Sequence, residues 1–264
     1  MMISGAGDVR AGGVEPASEP NQPRVIFPQG YAGTHSNSET QMKTVLITGA
    51  NRGIGLALVQ THVARGDRVI GACRHASDAL AQTGARAEDG VDVGDDAAVA
   101  DLARRLDGVR IDVLWLNAGI MARNALGNID AAGFASARQQ FEVNALGPLR
   151  VAQALLPNLG EGSKVGIITS RMGSIADNGS GGSYGYRASK AAVNAIGKSL
   201  AVDLKPRGIA VYLLHPGFVA TDLVGGRGDL SPAQAAQQLV QTLESRDPAQ
   251  TGTFWHSNGT ELPW

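Results

Sequence analysis

From Lys43 onward, short runs of consecutive apolar, often β-branched residues alternate with longer runs rich in Ala and Leu. The short runs predict strands over Thr44–Thr48, Arg68–Cys73, Arg86–Val91, Ile111–Leu116, Lys164–Thr169 and Ile209–His215. The longer runs predict helices across Ile54–Ala64, Ala97–Leu106, Ala135–Leu159 and Arg187–Leu204. A last helix near Ala233–Leu243 and a short strand near Thr253–His256 complete the pattern. Alternation of this kind predicts βαβ units and a parallel sheet covered on both faces. Val45-Leu46-Ile47 and Val113-Leu114-Trp115-Leu116 are apolar at successive positions, as expected of strands with both faces buried. The 264-residue length allows one domain or two. No repeat or linker interrupts the alternation after residue 42. The expectation is an α/β, single-domain Rossmann fold: a doubly wound parallel sheet of about seven strands flanked by helices.

Residues 1–41 differ. They hold Pro16, Pro20, Pro23 and Pro28 among Gly and Ser, with few large apolar residues. Such composition buries too little surface to offset ordering entropy. It has neither the apolar core of a secretory signal nor the Arg-rich character of a transit peptide. Two readings stand: a disordered leader, or translation that starts at Met42. The second is favoured, because Met42-Lys43-Thr44 leads straight into the first strand.

Composition narrows the function classes. A formal net charge of −1 gives no reason to expect a nucleic-acid or anionic-membrane partner. No apolar run approaches the roughly 20 residues that span a bilayer. Cys73 is the only cysteine, which excludes an internal disulfide and a Cys-cluster metal site. A reducing cytoplasm suits that usage, and no metal is expected.

Thr48-Gly49-Ala50-Asn51-Arg52-Gly53-Ile54-Gly55 joins the first strand to the first helix. Glycines there let the backbone turn sharply and approach a pyrophosphate, while the helix start offers free N–H groups. The spacing is G-x-x-x-G-x-G rather than G-x-G-x-x-G. A glycine cluster alone is equally well a tight turn; its place between strand and helix favours a dinucleotide. An NAD-selecting fold ends its second strand on an acid that holds the adenine ribose. Here the strand ends Ala72-Cys73-Arg74. Arg74, with Arg52 in the turn, suits a 2′-phosphate, although either arginine alone is an ordinary surface charge. NADP(H) is therefore preferred, with NAD(H) as the alternative. Asp67 and Asp78 flank the strand but are misplaced for the ribose.

Tyr186-Arg187-Ala188-Ser189-Lys190 opens a long helical run, so Tyr186 and Lys190 share a helix face. An ammonium beside a phenol, together with an oxidised nicotinamide, favours phenolate and makes tyrosine a usable acid or base. Taken alone the spacing is weak, and a structural Tyr with a surface Lys is then the better explanation. Tyr184 competes, but position 188 is alanine.

Thr48–Gly55, Asn117-Ala118-Gly119, Asn144, Ser170, Tyr186 with Lys190, and Pro216-Gly217 occur in the order of the classical short-chain dehydrogenases/reductases. The resemblance spans roughly residues 43–264. Tyr186–Lys190, Gly181-Gly182 and the final Gly259-Thr260-Glu261-Leu262-Pro263-Trp264 most resemble the C-factor/sniffer-like carbonyl reductase branch. The resemblance implies that Ser170 binds the substrate oxygen, Tyr186 transfers the proton, and Lys190 holds the nicotinamide ribose and lowers the tyrosine pKa. It implies that Asn144 positions a water that relays protons from Lys190. Cofactor contacts are implied for Gly49, Asn51, Arg52, Gly53, Ile54, Gly55, Arg74, Asp92, Val93, Asn117, Ala118, Gly119, Pro216, Gly217, Val219 and Thr221. A small-molecule carbonyl or alcohol is the implied partner, and a homodimer or homotetramer through the two long helices the implied assembly.

Three departures stand out. Leu116 replaces the first Asn of Asn-Asn-Ala-Gly. Ser170 precedes Tyr186 by 16 residues, a longer interval than usual, which the Asn178–Ser183 loop is expected to absorb. Ser174, 12 residues before Tyr186, is the rival serine. The segment after Thr221 is short and Gly-rich, which predicts a small substrate lid. Met121, Met172, Tyr184 and Phe218 are candidate pocket residues. Singly, Ser170 is as well a strand cap, Asn144 a buried helix residue, and Asp92 a cap of the following helix; jointly they favour a site. Two function classes follow: a working carbonyl reductase, or a cofactor-binding regulator with little turnover. Retention of Asn144, Ser170, Tyr186 and Lys190 favours the enzyme. A sugar-nucleotide epimerase would need a different glycine spacing and a longer C-terminal region.

Overall fold

The computed structural model describes residues 42–264. The expectations for residues 1–41 lie outside the described residues.

In chain order the elements are β1 (Thr44–Thr48), α1 (Gly53–Ala64), β2 (Arg68–Ala72), α2 (Asp78–Ala81), β3 (Arg86–Glu88), α3 (Asp96–Arg105) and β4 (Ile111–Leu116). Then follow α4 (Ala131–Phe141), α5 (Gly147–Ala154), β5 (Leu159–Ile168), α6 (Tyr184–Leu204), β6 (Ala210–His215), α7 (Pro232–Ser245) and β7 (Thr253–His256). The strands form one seven-stranded sheet in the order β3-β2-β1-β4-β5-β6-β7. Every pairing is parallel. Strand order reverses between β1 and β4, which opens a crevice at their carboxyl ends.

Alternation explains the uninterrupted apolar runs. Val45, Ile47, Val113 and Trp115 enter one core layer with α1 and α7, through Leu58, Val59, Leu239 and Val240. Leu46, Leu114 and Leu116 enter the other with α3, α5 and α6, through Leu102, Val151 and Val193. Successive residues thus feed opposite faces, and both faces are dry.

The largest departure from the sequence pattern is the run expected as one helix over Ala135–Leu159. It is four pieces: α4, a π-helical turn at Glu142–Leu146, α5, which begins at Gly147-Pro148, and a 3₁₀ turn at Leu156–Asn158. Proline is tolerated in a first turn, where its missing N–H would have no partner. A side chain at Gly147 would have its Cβ 2.9 Å from Val93 Cγ2, so the restart packs against the loop after β3. β5 begins at Leu159, earlier than the predicted Lys164, with a register shift against β4 between Ile111 and Val113. β3 stops at Glu88, short of Val91, and α2 was not expected. α6 begins at Tyr184, three residues before the predicted Arg187, which puts Tyr186 in its first turn. Among the described residues no helix is long and apolar enough to cross a membrane.

Candidate active site

The glycine turn bends at the end of β1, where Gly49 takes φ +68° and Gly53 φ +56°. Gly55 meets the turn most closely: a Cβ there would stand 2.1 Å from the Gly49 carbonyl oxygen and 2.6 Å from Asn117 Nδ2. Asn117 Nδ2 donates to the Thr48 carbonyl at 2.9 Å and, more weakly, to the Gly49 carbonyl at 3.3 Å. The Thr48 hydroxyl accepts from the backbone N–H of Asn117 and Ala118 at 3.0 and 3.2 Å. One buried hydroxyl and one amide therefore stitch the ends of β1 and β4 together. Among the described residues no side chain caps the start of α1. Its free N–H groups and positive dipole end make an anion site.

These residues line a groove of about 490 Å³. Gly49, Asn51, Arg52, Gly53, Ile54 and Gly55 form one wall. Arg74, Asp92 and Val93 line the outer end, and Asn117, Ala118 and Gly119 the floor. The inner end carries Tyr186 and Lys190, with Pro216 and Thr221 opposite. Asn144, Ser170, Gly217 and Val219 do not line the groove; the first three each follow a residue that does, Val143, Thr169 and Pro216. Val219 is buried and bridges to Leu230, and Gly217 packs against Leu230.

At the outer end Arg74 is exposed, and no acidic side chain takes the place at the end of β2. Arg52 pairs with Asp222 at 3.2 Å across the groove mouth, with both side chains largely exposed. The Asp92 carboxylate accepts from Gly94 N–H at 2.8 Å and so shapes its own turn, whereas Asp95 caps α3. Asp67 is engaged away from the groove, where it binds His62 Nδ1 at 2.7 Å, and His62 Nε2 accepts from the Trp115 indole at 3.0 Å.

At the inner end Tyr186 and Lys190 are both almost completely buried, with the Lys190 ammonium 5.8 Å from the Tyr186 ring centroid. Lys190 Nζ donates to the Ile168 carbonyl at 2.9 Å. Burial pushes the Tyr186 phenol up to about 12, against a downward pull from its hydrogen bond with Ser170. Burial lowers Lys190 to about 8. Sequence spacing predicts a phenol acidified by the ammonium; in the protein without ligand, desolvation instead sets the direction of the shift. The phenol is thus a held proton donor, and the lysine is charged at neutral pH.

Asn144 lies within the π-helical turn. Its Oδ1 accepts from Ile120 N–H and its Nδ2 donates to the Ile120 carbonyl, both at 2.8 Å. Nδ2 also donates to Ser189 Oγ at 3.0 Å. Asn144 Oδ1 and Lys190 Nζ flank Gly119, lying 3.3 and 3.7 Å from where a Cβ would stand. Of the two candidate serines, Ser170 is the one that pulls the Tyr186 pKa down. The Ser174 hydroxyl is spent on the Trp264 carbonyl at 3.0 Å and on Asp177 N–H at 3.1 Å. Tyr184 is 44% exposed at the start of α6, away from any lysine partner of its own.

Thr48, Ile120 and Thr169 join the site without having been singled out from the sequence. Only Thr48 carried a signal, as the residue that enters the glycine turn. Ile120 is recruited through its backbone, to which sequence patterns are blind.

A short chain dehydrogenase family profile matches residues 43–231. A 1-hydroxy-2-glutathionyl-2-methyl-3-butene dehydrogenase of Rhodococcus sp. (strain AD45) is 44% identical over 229 residues, covering 84% of this chain and 100% of that protein. The C-signal protein of Myxococcus xanthus is 43% identical over 157 residues, 58% of this chain and 93% of that one. Among solved structures, an NADPH-bound carbonyl reductase from chicken fatty liver superposes with a TM-score of 0.75 at 28% identity, covering 84% of this chain and 99% of that one.

Proposed function

The chain belongs to the short-chain dehydrogenase family, and on that premise we propose that it is an NADP(H)-dependent oxidoreductase that reduces an aldehyde or ketone, or oxidises the matching alcohol. The observation that carries this reading is the meeting of a protonated, buried phenol with Ser170 and Lys190 at the inner end of the groove. The groove fits a dinucleotide on two counts: the uncapped α1 start suits a pyrophosphate, and Gly49, Gly53 and Gly55 leave the approach open. Arg74 and Arg52 at the outer end suit a 2′-phosphate, and the similar chicken reductase is an NADPH complex.

When bound, the nicotinamide supplies or accepts the hydride. Tyr186 gives its phenolic proton to the carbonyl oxygen as charge develops there, and takes it back in oxidation. Ser170 donates a hydrogen bond to the same oxygen. Lys190 sets a positive charge beside the phenolate that proton loss would leave, and orients the nicotinamide ribose. Asn144 fixes the backbone at Ile120 and would position a water that relays protons from Lys190. Gly49–Gly55, Asn117–Gly119, Asp92, Val93, Pro216 and Thr221 hold the rest of the cofactor, with Gly217 and Val219 supporting from behind.

A cytoplasmic site of action suits the single buried cysteine. A second copy of the chain is the partner proposed for the α4–α6 face. Similarity to C-signal favours a second reading, a cofactor-binding signalling protein with little turnover.

One assay separates these readings. Purified protein is given NADPH or NADH with a panel of aldehydes, ketones and quinones, beside Tyr186→Phe. We expect NADPH-dependent turnover that falls about 100-fold or more in the variant. Equal rates would remove Tyr186 from the chemistry, NADH preference would overturn the role of the two arginines, and NADPH binding without turnover would favour the signalling reading.

A further inference from the structure

We propose that Ser174 and Trp264 form a clasp that holds Ser170 in place against Tyr186, making both positioning residues for the reaction proposed above, on which this inference rests. Ser170 leads into a short 3₁₀ turn, Arg171–Gly173, and accepts from Met172 N–H at 3.1 Å through its own hydroxyl. So short a turn has little stiffness of its own and must be held at its far end. On one side it rests on α6: a Cβ at Gly173 would stand 2.7 Å from the Lys190 carbonyl carbon. On the other side it is tied to Trp264. Ser174 Oγ donates to the Trp264 carbonyl at 3.0 Å, and Ala176 N–H donates to the same oxygen at 2.9 Å.

That oxygen is itself fixed to the sheet. The Trp264 indole stacks on Phe254 with ring centroids 5.6 Å apart, and Leu262 N–H donates to the Phe254 carbonyl at 2.8 Å. Phe254 lies in β7 and is 1% exposed. Ser174, at 2% exposure, accepts from Asp177 N–H as well, and Arg171 closes the loop on Asp177 at 2.6 Å. The serine loop therefore bridges two rigid bodies, α6 and β7, and the Ser174 hydroxyl supplies one of its two hydrogen bonds to the β7 side while also accepting from Asp177 N–H within the loop. Removing it leaves Asp177 N–H without its acceptor and the Trp264 oxygen with one donor. A displacement of about 1 Å in a site group costs about 100-fold in rate.

The test compares wild type with Ser174→Ala, Ser174→Thr and Trp264→Ala, all in the full chain. For Ser174→Ala we expect kcat in the NADPH-dependent reduction to fall about 10- to 100-fold while the NADPH dissociation constant stays within about twofold. Threonine keeps the hydroxyl and restores most of the rate, and Trp264→Ala falls between. Wild-type kcat in Ser174→Ala, or a loss that appears only as weaker NADPH binding, overturns the clasp. A readout independent of turnover is the ¹³Cζ resonance of Tyr186 at pH 7, assigned against Tyr186→Phe. It moves in Ser174→Ala and returns in Ser174→Thr if the clasp sets the Ser170 hydrogen bond; an unmoved resonance overturns the inference even if no substrate is ever found. An inactive wild type, by contrast, defeats the proposed reaction and leaves this spectroscopic result decisive for the clasp.

Discussion

Lys190 and Tyr186 are shifted by the same burial in opposite directions, because desolvation disfavours ammonium and phenolate alike. Tyr186, near 12, stays protonated across the working range, whereas Lys190, near 8, does not. The rate of carbonyl reduction should therefore be flat at neutral pH and fall as pH rises through about 8, when the ammonium is lost. The kcat/KM profile for the free enzyme reads this directly, and a flat profile to pH 10 would exclude Lys190 as the titrating group. The ion pair between Arg52 and Asp222 gives a second prediction. A 2′-phosphate at Arg52 competes with the carboxylate, so Asp222→Asn should tighten NADPH binding while leaving NADH unchanged. The pair is exposed, so the gain is a few-fold at most and shrinks with salt; titrations at two ionic strengths measure it. The Tyr–Lys spacing is legible in sequence because a helix places residues four apart on one face. The pKa order is not legible, because it depends on how deeply both side chains are buried. Sequence context favours Ser170 over Ser174, whereas the partners of Ser174, Trp264 and Asp177 N–H, appear only in the folded loop.

Interruption of the long helix at Glu142–Leu146 is the element that most changes the site. The π-helical turn re-aims Asn144 inward, where it pairs with the Ile120 backbone as a strand residue would. Apolar periodicity runs on through Val143, Ala145 and Leu146, so the pattern conceals the turn, and only Gly147-Pro148 hints at it. Outside the core, α4 and α6 leave an apolar groove of about 350 Å³ between Phe134, Ala137, Phe141, Gly185 and Ala188. Phe134 and Phe141 are 56% and 41% exposed, with Leu146 and Leu149 each at 37% nearby. Exposed aromatics beside small residues suit the close approach of a second helix pair. Phe134→Asp with Phe141→Asp should convert a dimer or larger assembly to monomer while leaving far-ultraviolet circular dichroism unchanged. Light scattering at micromolar concentrations decides it, and a monomeric wild type would discard this face as a self-association surface.

The order of the whole sheet explains why the site is where it is. Strand–helix alternation in sequence predicts the fold class and nearly every element, yet says nothing of which strand lies beside which. The reversal between β1 and β4 turns two distant segments, Thr48–Gly55 and Asn117–Gly119, into one crevice. Two histidine clusters lie in the same framework, and their meaning also appears only in three dimensions. His62 is locked between Asp67 and Trp115, and His215 packs edge-on to His256 at 4.9 Å. Burial lowers the pKa of all three, His215 from 6.5 to about 3, with His256, Arg171 and Lys190 adding repulsion. A group whose folded pKa is lowered binds its proton more readily in the unfolded chain. Stability is therefore complete above about 6.5 and declines as pH falls toward 3. At about 1.4 kcal/mol per unit, the His215 shift alone amounts to a few kcal/mol at the acid end, a large share of a domain's stability. Among the described residues His215 Nδ1 has no hydrogen-bond partner, so an apolar ring of similar shape sacrifices no bond there. His215→Phe should melt within a few degrees of wild type at pH 8 and lose distinctly less between pH 7 and pH 4.5. Parallel melting curves for the two proteins across that range would show that the acid lability arises elsewhere.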